Sequence, residues 1–83
     1  MGRTYPEIEI KKILASVFEV SAEDINEQSS PNTLAKWDSM HKMRLIVDLE
    51  EAFEITFTDE QVVNMVDYTS VKTAVCEYDI KFN

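Results

Sequence analysis

From residue 43 onward apolar side chains return at the spacing of an α-helix: Met43, Leu45, Ile46, Val47, Leu49 and Phe53, with Asp48, Glu50 and Glu51 set among them. One apolar stripe beside one acidic stripe describes a helix packed on one side and solvated on the other. The spacing predicts this helix from about Ser39 to Phe53. At its start stands Asp38-Ser39-Met40, so a serine hydroxyl falls where a loop becomes the first helical turn. Ser and Asp are the residues that best satisfy free N–H groups there, which makes Ser39 either a cap or a site of modification.

The remaining chain supplies three more helices. Thr4-Tyr5-Pro6-Glu7 has the form of a capping box with proline in the first turn, and Ile10, Ile13, Leu14, Val17 and Phe18 then share one face, with Lys11 and Lys12 on the other. Thr58-Asp59-Glu60-Gln61 announces a short connector helix carrying Val62, Val63, Met65 and Val66. Thr69-Ser70 offers a cap for a last helix with Val71, Ala74, Val75 and Tyr78 on one face. Between the first two, Val20 to Trp37 is rich in turn formers and reads as a long ordered loop anchored by Val20, Ile25 and Leu34. With Gly2 as the sole glycine, tight turns are expected to use Asn, Asp, Ser and Pro. The expected core is Leu14, Phe18, Leu45, Leu49, Phe53, Ile55, Phe57, Val62, Met65, Val71 and Val75, each contributing roughly 1.5–3 kcal/mol when fully buried, before entropy. The fold class is therefore all-α, a four-helix bundle of three longer helices and one short one, with a long first loop. At 83 residues it forms a single domain, 1–83, with no room for a second core.

Charge narrows the partners. Sixteen acidic residues against eight basic give a net charge of −8, which repels phosphate backbones and anionic membranes. Nucleic acid is excluded as a partner on that ground, and the field would instead steer the chain toward enzymes with basic docking sites. The same imbalance predicts that moderate salt raises the melting temperature; an unchanged melting point across a salt series would count against it. No apolar run reaches the length of a membrane span and the N-terminus lacks a secretory pattern, so a cytoplasmic protein without membrane insertion is expected. The single cysteine, Cys76, and the lack of a Cys/His cluster give no disulfide and no metal site.

Trp37-Asp38-Ser39-Met40, followed by Leu45-Ile46-Val47-Asp48-Leu49-Glu50-Glu51-Ala52-Phe53-Glu54-Ile55, resembles the acyl carrier protein family. In that family an Asp-Ser-Leu motif receives a 4′-phosphopantetheine arm on the serine, and a helix ending in acidic residues and a phenylalanine follows. The resemblance extends to the helix order and the long first loop. It implies that Ser39 carries the arm, that Asp38 helps a phosphopantetheinyl transferase recognise its target, and that the arm's thiol holds an acyl or aminoacyl group as a thioester. It also implies that the protein catalyses nothing itself. Its partners would be that transferase, an acyl- or aminoacyl-loading ligase, and downstream synthase or transferase enzymes. Docking is expected on Met40, Met43 and Val47, an apolar strip beside Ser39, together with Asp48, Glu50 and Glu51. Methionine suits a surface that must fit several partners. If the family's sheltering cleft exists here, Leu45, Ile46, Leu49, Phe53, Phe57 and Met65 would line it, their alternative role being core packing.

Three positions depart from the family's pattern. Met40 stands where leucine is commonest, Trp37 replaces a small residue, and His41, Lys42 and Arg44 bring positive charge to a helix usually acidic from its start. These point to a specialised carrier from a secondary-metabolite, lipid or aminoacyl pathway in place of general fatty-acid synthesis, within a range that the resemblance sets as fatty-acid, polyketide, lipid or related specialised pathways. Met1-Gly2 and the short tail after the last helix lead to the expectation of a free-standing carrier, and a monomer is expected. A small acidic helical adaptor, binding a basic or amphipathic partner without a covalent arm, is the alternative. A catalytic Ser39–His41 pair lacks an evident third orienting group and pocket, and an EF-hand lacks its Asp-x-Asp-x-Asp-Gly loop.

Overall fold

The aromatic side chains of the two chain ends meet over one helix terminus. Tyr5 and Phe82 each set an edge against Phe53, at ring separations of 5.0 and 5.6 Å. Two short strands deliver them, β1 (Arg3–Tyr5) and β2 (Ile80–Phe82), paired in parallel with Arg3 opposite Ile80 and Tyr5 opposite Phe82. Between them run α1 (Glu7–Phe18), a 3-10 turn (Ala22–Asp24), α2 (Ser39–Phe53), the short α3 (Asp59–Asn64) and α4 (Tyr68–Cys76). The structure is a computed structural model describing residues 2–83, so Met1 of the Met1-Gly2 pair lies outside it. The four helices and the long first loop are those expected from the sequence; the two-strand clasp is an addition to them.

The clasp explains why the first capping box does not form. Thr4 lies in β1, Pro6 is the residue before α1, and no side chain caps that end. The Glu7 N–H is taken by the Asn83 carbonyl at 2.8 Å, and Asn83 donates to the Tyr5 carbonyl at 3.0 Å. A backbone partner thus does what Thr4 was expected to do. Gly2 has its own reason: a Cβ there would sit 2.9 Å from the Asp79 carbonyl oxygen, and the same carbonyl accepts the Arg3 N–H at 2.9 Å.

The last helix is likewise capped two residues earlier than Thr69 suggested, at Asp67. Asp67 accepts from the Ser70 N–H at 2.8 Å, and the Ser70 hydroxyl in turn accepts from the Asp67 N–H at 3.0 Å. The Ser70 N–H first, and then the Ser70 hydroxyl donating to the carboxylate at 2.7 Å, hold the Asp67 carboxyl below its usual range. The box at Thr58 and Gln61 forms as expected. Turns without glycine use a residue type the sequence reading did not foresee: Glu19 and Glu54 close α1 and α2 in the left-handed region, at φ 58° and 55°. Val20 and Ile55 then return their N–H groups to the carbonyls of Ala15 and Glu50, in the manner of a Schellman ending.

Helices α1 and α2 pack antiparallel, since grooves along their seam join Ser16 and Glu19 to Met40 and Arg44 at one end, and Glu9 and Lys12 to Asp48 and Glu51 at the other. Ile10, Leu14 and Phe18 from α1 meet Leu45, Leu49 and Phe53 from α2, with Met65, Val71 and Val75 closing the core. Of the expected core only Val62 is partly exposed. Ile25, Trp37, Tyr68 and Ile80 join it.

Tyr68 ties α4 to α1 by donating its hydroxyl to Glu7 at 2.6 Å, with Lys72 3.2 Å from the same carboxylate. The tyrosine bond, aided by Lys72, lowers the Glu7 pKa, while burial and Glu7 raise that of Tyr68. A carboxyl more acidic in the folded than in the unfolded chain stabilises above its unfolded value and stops doing so as pH falls through its folded value. The melting temperature of Glu7→Gln is therefore expected below wild type at neutral pH, and the gap is expected to close on acidification below about pH 4. A gap that stays constant with pH would assign the loss to packing instead.

Candidate functional site

The loop from Val20 to Asp38 brings Ser39 to the surface along a fixed path. Ile25 and Leu34 are buried as the sequence anticipated. Ser29, only 2% exposed, pins the middle: its hydroxyl accepts the Asn26 N–H at 2.9 Å and its carbonyl takes the Tyr68 N–H of α4 at 2.9 Å. Trp37 then stacks on Phe18, rings 4.7 Å apart and 13° from parallel, so the residue before Asp38 is clamped to α1. Periodicity could not have found this contact, because neither Trp37 nor Ser29 belongs to a periodic segment.

At Asp38 the chain turns into α2. Its carboxylate accepts the His41 N–H at 2.9 Å, and its carbonyl accepts from the Lys42 N–H at 2.8 Å. Asp38 is thus the cap, and Ser39 is the first helical residue, exposed to solvent. Among the described residues no hydrogen bond engages the Ser39 hydroxyl. The His41 backbone N–H first, and then the His41 ring at 2.8 Å, hold the Asp38 carboxyl below its ordinary value. His41 also faces Glu19 at 3.9 Å, and Glu19 is paired with Lys36 at 2.8 Å, which lowers its pKa in turn. Among the described residues no hydrogen bond joins His41 to Ser39, so the imidazole is committed to carboxylates.

The exposed serine suits a covalent phosphodiester. The first N–H groups of a helix point outward unpaired, and the positive end of the helix dipole lies there. Asp38 takes the His41 N–H, and the Met40 N–H also lies toward its carboxylate; these N–H groups and that of Ser39 stand outside the intrahelical ladder. A phosphate on the Ser39 oxygen would sit beside them.

Away from the serine, Met40, Met43 and Val47 are 83%, 61% and 47% exposed and share a face of α2. Arg44 pairs with Asp48 at 3.3 Å. Glu51 is exposed, whereas Glu50 is half-buried and its carboxylate accepts the Phe57 N–H at 2.9 Å, fastening the turn after α2. Leu45, Ile46, Leu49, Phe53, Phe57 and Met65 are all buried in the core. Val63 and Val66 of the α3 region, 70% and 55% exposed, add apolar surface that the sequence reading had counted only as helix pattern.

No family model matches the chain. An acyl carrier protein from Exiguobacterium sibiricum is 39% identical to it over 62 residues, a stretch that takes in 66% of this chain and 78% of that protein. No helix is long and apolar enough to cross a membrane among the described residues. Fold order and sequence identity agree, and the chain belongs to the acyl carrier protein family, non-catalytic carriers that hold their cargo on a 4′-phosphopantetheine arm.

Proposed function

We propose that Ser39 is the residue that receives the arm, and that this chain, as one domain, serves a specialised cytoplasmic pathway. The observation that carries the assignment is the capping arrangement at α2: Asp38 satisfies the helix end through its own side chain, while the adjacent Ser39 is exposed. When bound, the arm supplies a thiol that holds an acyl or aminoacyl group as a thioester. The chain's own residues do the rest. Trp37 and Ser29 hold the loop, Asp38 orients the first turn, and the helix N-terminus offers N–H groups to the phosphodiester.

Met40, Met43 and Val47 form the face we assign to partner docking, with Glu51 and Asp48 at its acidic margin and Glu50 at its foot. Partners of this kind include a phosphopantetheinyl transferase, a loading ligase, and a synthase or transferase that consumes the thioester. The His41, Lys42 and Arg44 positions favour a secondary-metabolite, lipid, polyketide or aminoacyl pathway over general fatty-acid synthesis. Should acyl chains be sheltered, the buried set from Leu45 to Met65 must open, since those side chains now fill the core.

Incubating the protein with coenzyme A and a promiscuous phosphopantetheinyl transferase tests the attachment. The expected result is an intact-mass gain of one phosphopantetheinyl group, mapped by peptide mass spectrometry to the segment containing Ser39. No gain would restore the adaptor reading, in which the acidic surface binds a basic partner without an arm.

A further inference from the structure

A groove opens where the last turn of α1 meets the first turns of α2. Ser16, Val17 and Glu19 form one wall and Met40, His41 and Arg44 the other, around a volume of about 410 Å3. Small-molecule sites occupy roughly 300–1,000 Å3. Met40 and His41 follow Ser39 directly in the chain, so the groove begins at the proposed attachment point.

We propose that the phosphopantetheine arm on Ser39 rests in this groove between α1 and α2 when no partner enzyme is docked. The inference rests on Ser39 being the attachment residue. The arm has an anionic phosphodiester at the serine end, then a carbon bearing two methyl groups, a hydroxyl, two amides and a thiol. The walls supply partners for these groups. Arg44, 71% exposed at its side chain, carries a guanidinium that a diester attracts in competition with Asp48. Met40 is 83% exposed, and apolar surface of that size at the groove's mouth gains by being covered. Val17 gives an apolar floor, and the Ser16 hydroxyl and Glu19 carboxylate offer partners to the amide N–H groups and the hydroxyl.

A wider groove exists between the α3 cap and α4, of about 690 Å3, but Glu60, Asp67 and Glu77 line it without a cation, and no residue of α2 takes part. Its charge repels a diester, and the tether begins on another element.

The test uses isotopically labelled wild-type protein loaded by a phosphopantetheinyl transferase, with intact mass and peptide mapping placing the arm on Ser39 first. Nuclear Overhauser contacts from the arm's paired methyl groups to Met40 and Val17 are expected. Amide shifts between the unloaded and loaded forms are expected to be larger at residues 16–19 than at Val63 and Val66. Ser16→Trp, made at an exposed position so that the core is untouched, should fill the groove and remove the contacts to Val17. An arm on Ser39 with shifts confined to its chain neighbours, or centred on Val63 and Val66, overturns this inference alone. Absence of the arm from Ser39 overturns the attachment reading and this inference together.

Discussion

Ser39→Ala is expected to gain no mass on incubation with coenzyme A and a phosphopantetheinyl transferase, while melting within about a degree or two of wild type. The two halves of that expectation come from separate facts. Transfer needs a nucleophilic oxygen to form the phosphodiester, and alanine has none. Stability is spared because the hydroxyl of Ser39 is not the cap: the Asp38 carboxylate holds the His41 N–H, and Ser39 is exposed. Substitutions at exposed positions outside caps and cores usually change stability by less than about 0.5 kcal/mol, and alanine is the best helix former at such a site. Had Ser39 been the cap, its loss would cost about 1 kcal/mol, visible as several degrees in a domain this small. A Ser39→Ala protein that still gains the mass would place the arm on another hydroxyl. A variant that melts far below wild type would show that the serine is structural after all.

What could be read from the sequence follows a physical boundary. Helix α2 was legible to the residue because its stripe from Leu45 to Phe53 repeats over more than two turns and its start carries the Asp38-Ser39 signal. The Thr58 box was legible for the same reason, since side chain and backbone partners lie within one turn. The strand clasp was not. Arg3–Tyr5 and Ile80–Phe82 are too short to show alternation, and their pairing joins opposite ends of the chain. That pairing displaced the expected Thr4 cap by supplying the Asn83 carbonyl in its place. At the site, the family resemblance singled out Ser39, and the exposure of Met40, Met43 and Val47 follows from helix geometry. Glu50 was read as surface, whereas its bond to the Phe57 N–H depends on how the chain doubles back after α2. Local rules reached as far as one helix; contacts between distant segments lay beyond them.

Trp37 is the case in which such a distant contact controls the site, and Trp37→Ala should show it. The ring is 8% exposed and stacked on Phe18, so truncation removes a large aromatic surface and leaves a cavity. Such changes cost about 3–5 kcal/mol in well-packed cores. Domains of ordinary stability hold only about 5–15 kcal/mol in total, and a chain this small falls toward the lower end. The urea midpoint, followed by far-UV circular dichroism because the only tryptophan is gone, is expected to fall by half or more. Trp37→Phe should recover much of the loss by keeping a ring against Phe18. The consequence for function is separate from global unfolding. Trp37 immediately precedes Asp38, and its N–H bonds the Leu34 carbonyl at 3.0 Å, so releasing the ring frees the loop that aims the first turn of α2. At a temperature where the variant remains folded, transfer of the arm to Ser39 should therefore slow, because a transferase must now select the aligned loop from an ensemble. Wild-type stability in Trp37→Ala would show that the stack holds nothing. A destabilised variant loaded at the wild-type rate would show that α2 orients Ser39 without help from the loop.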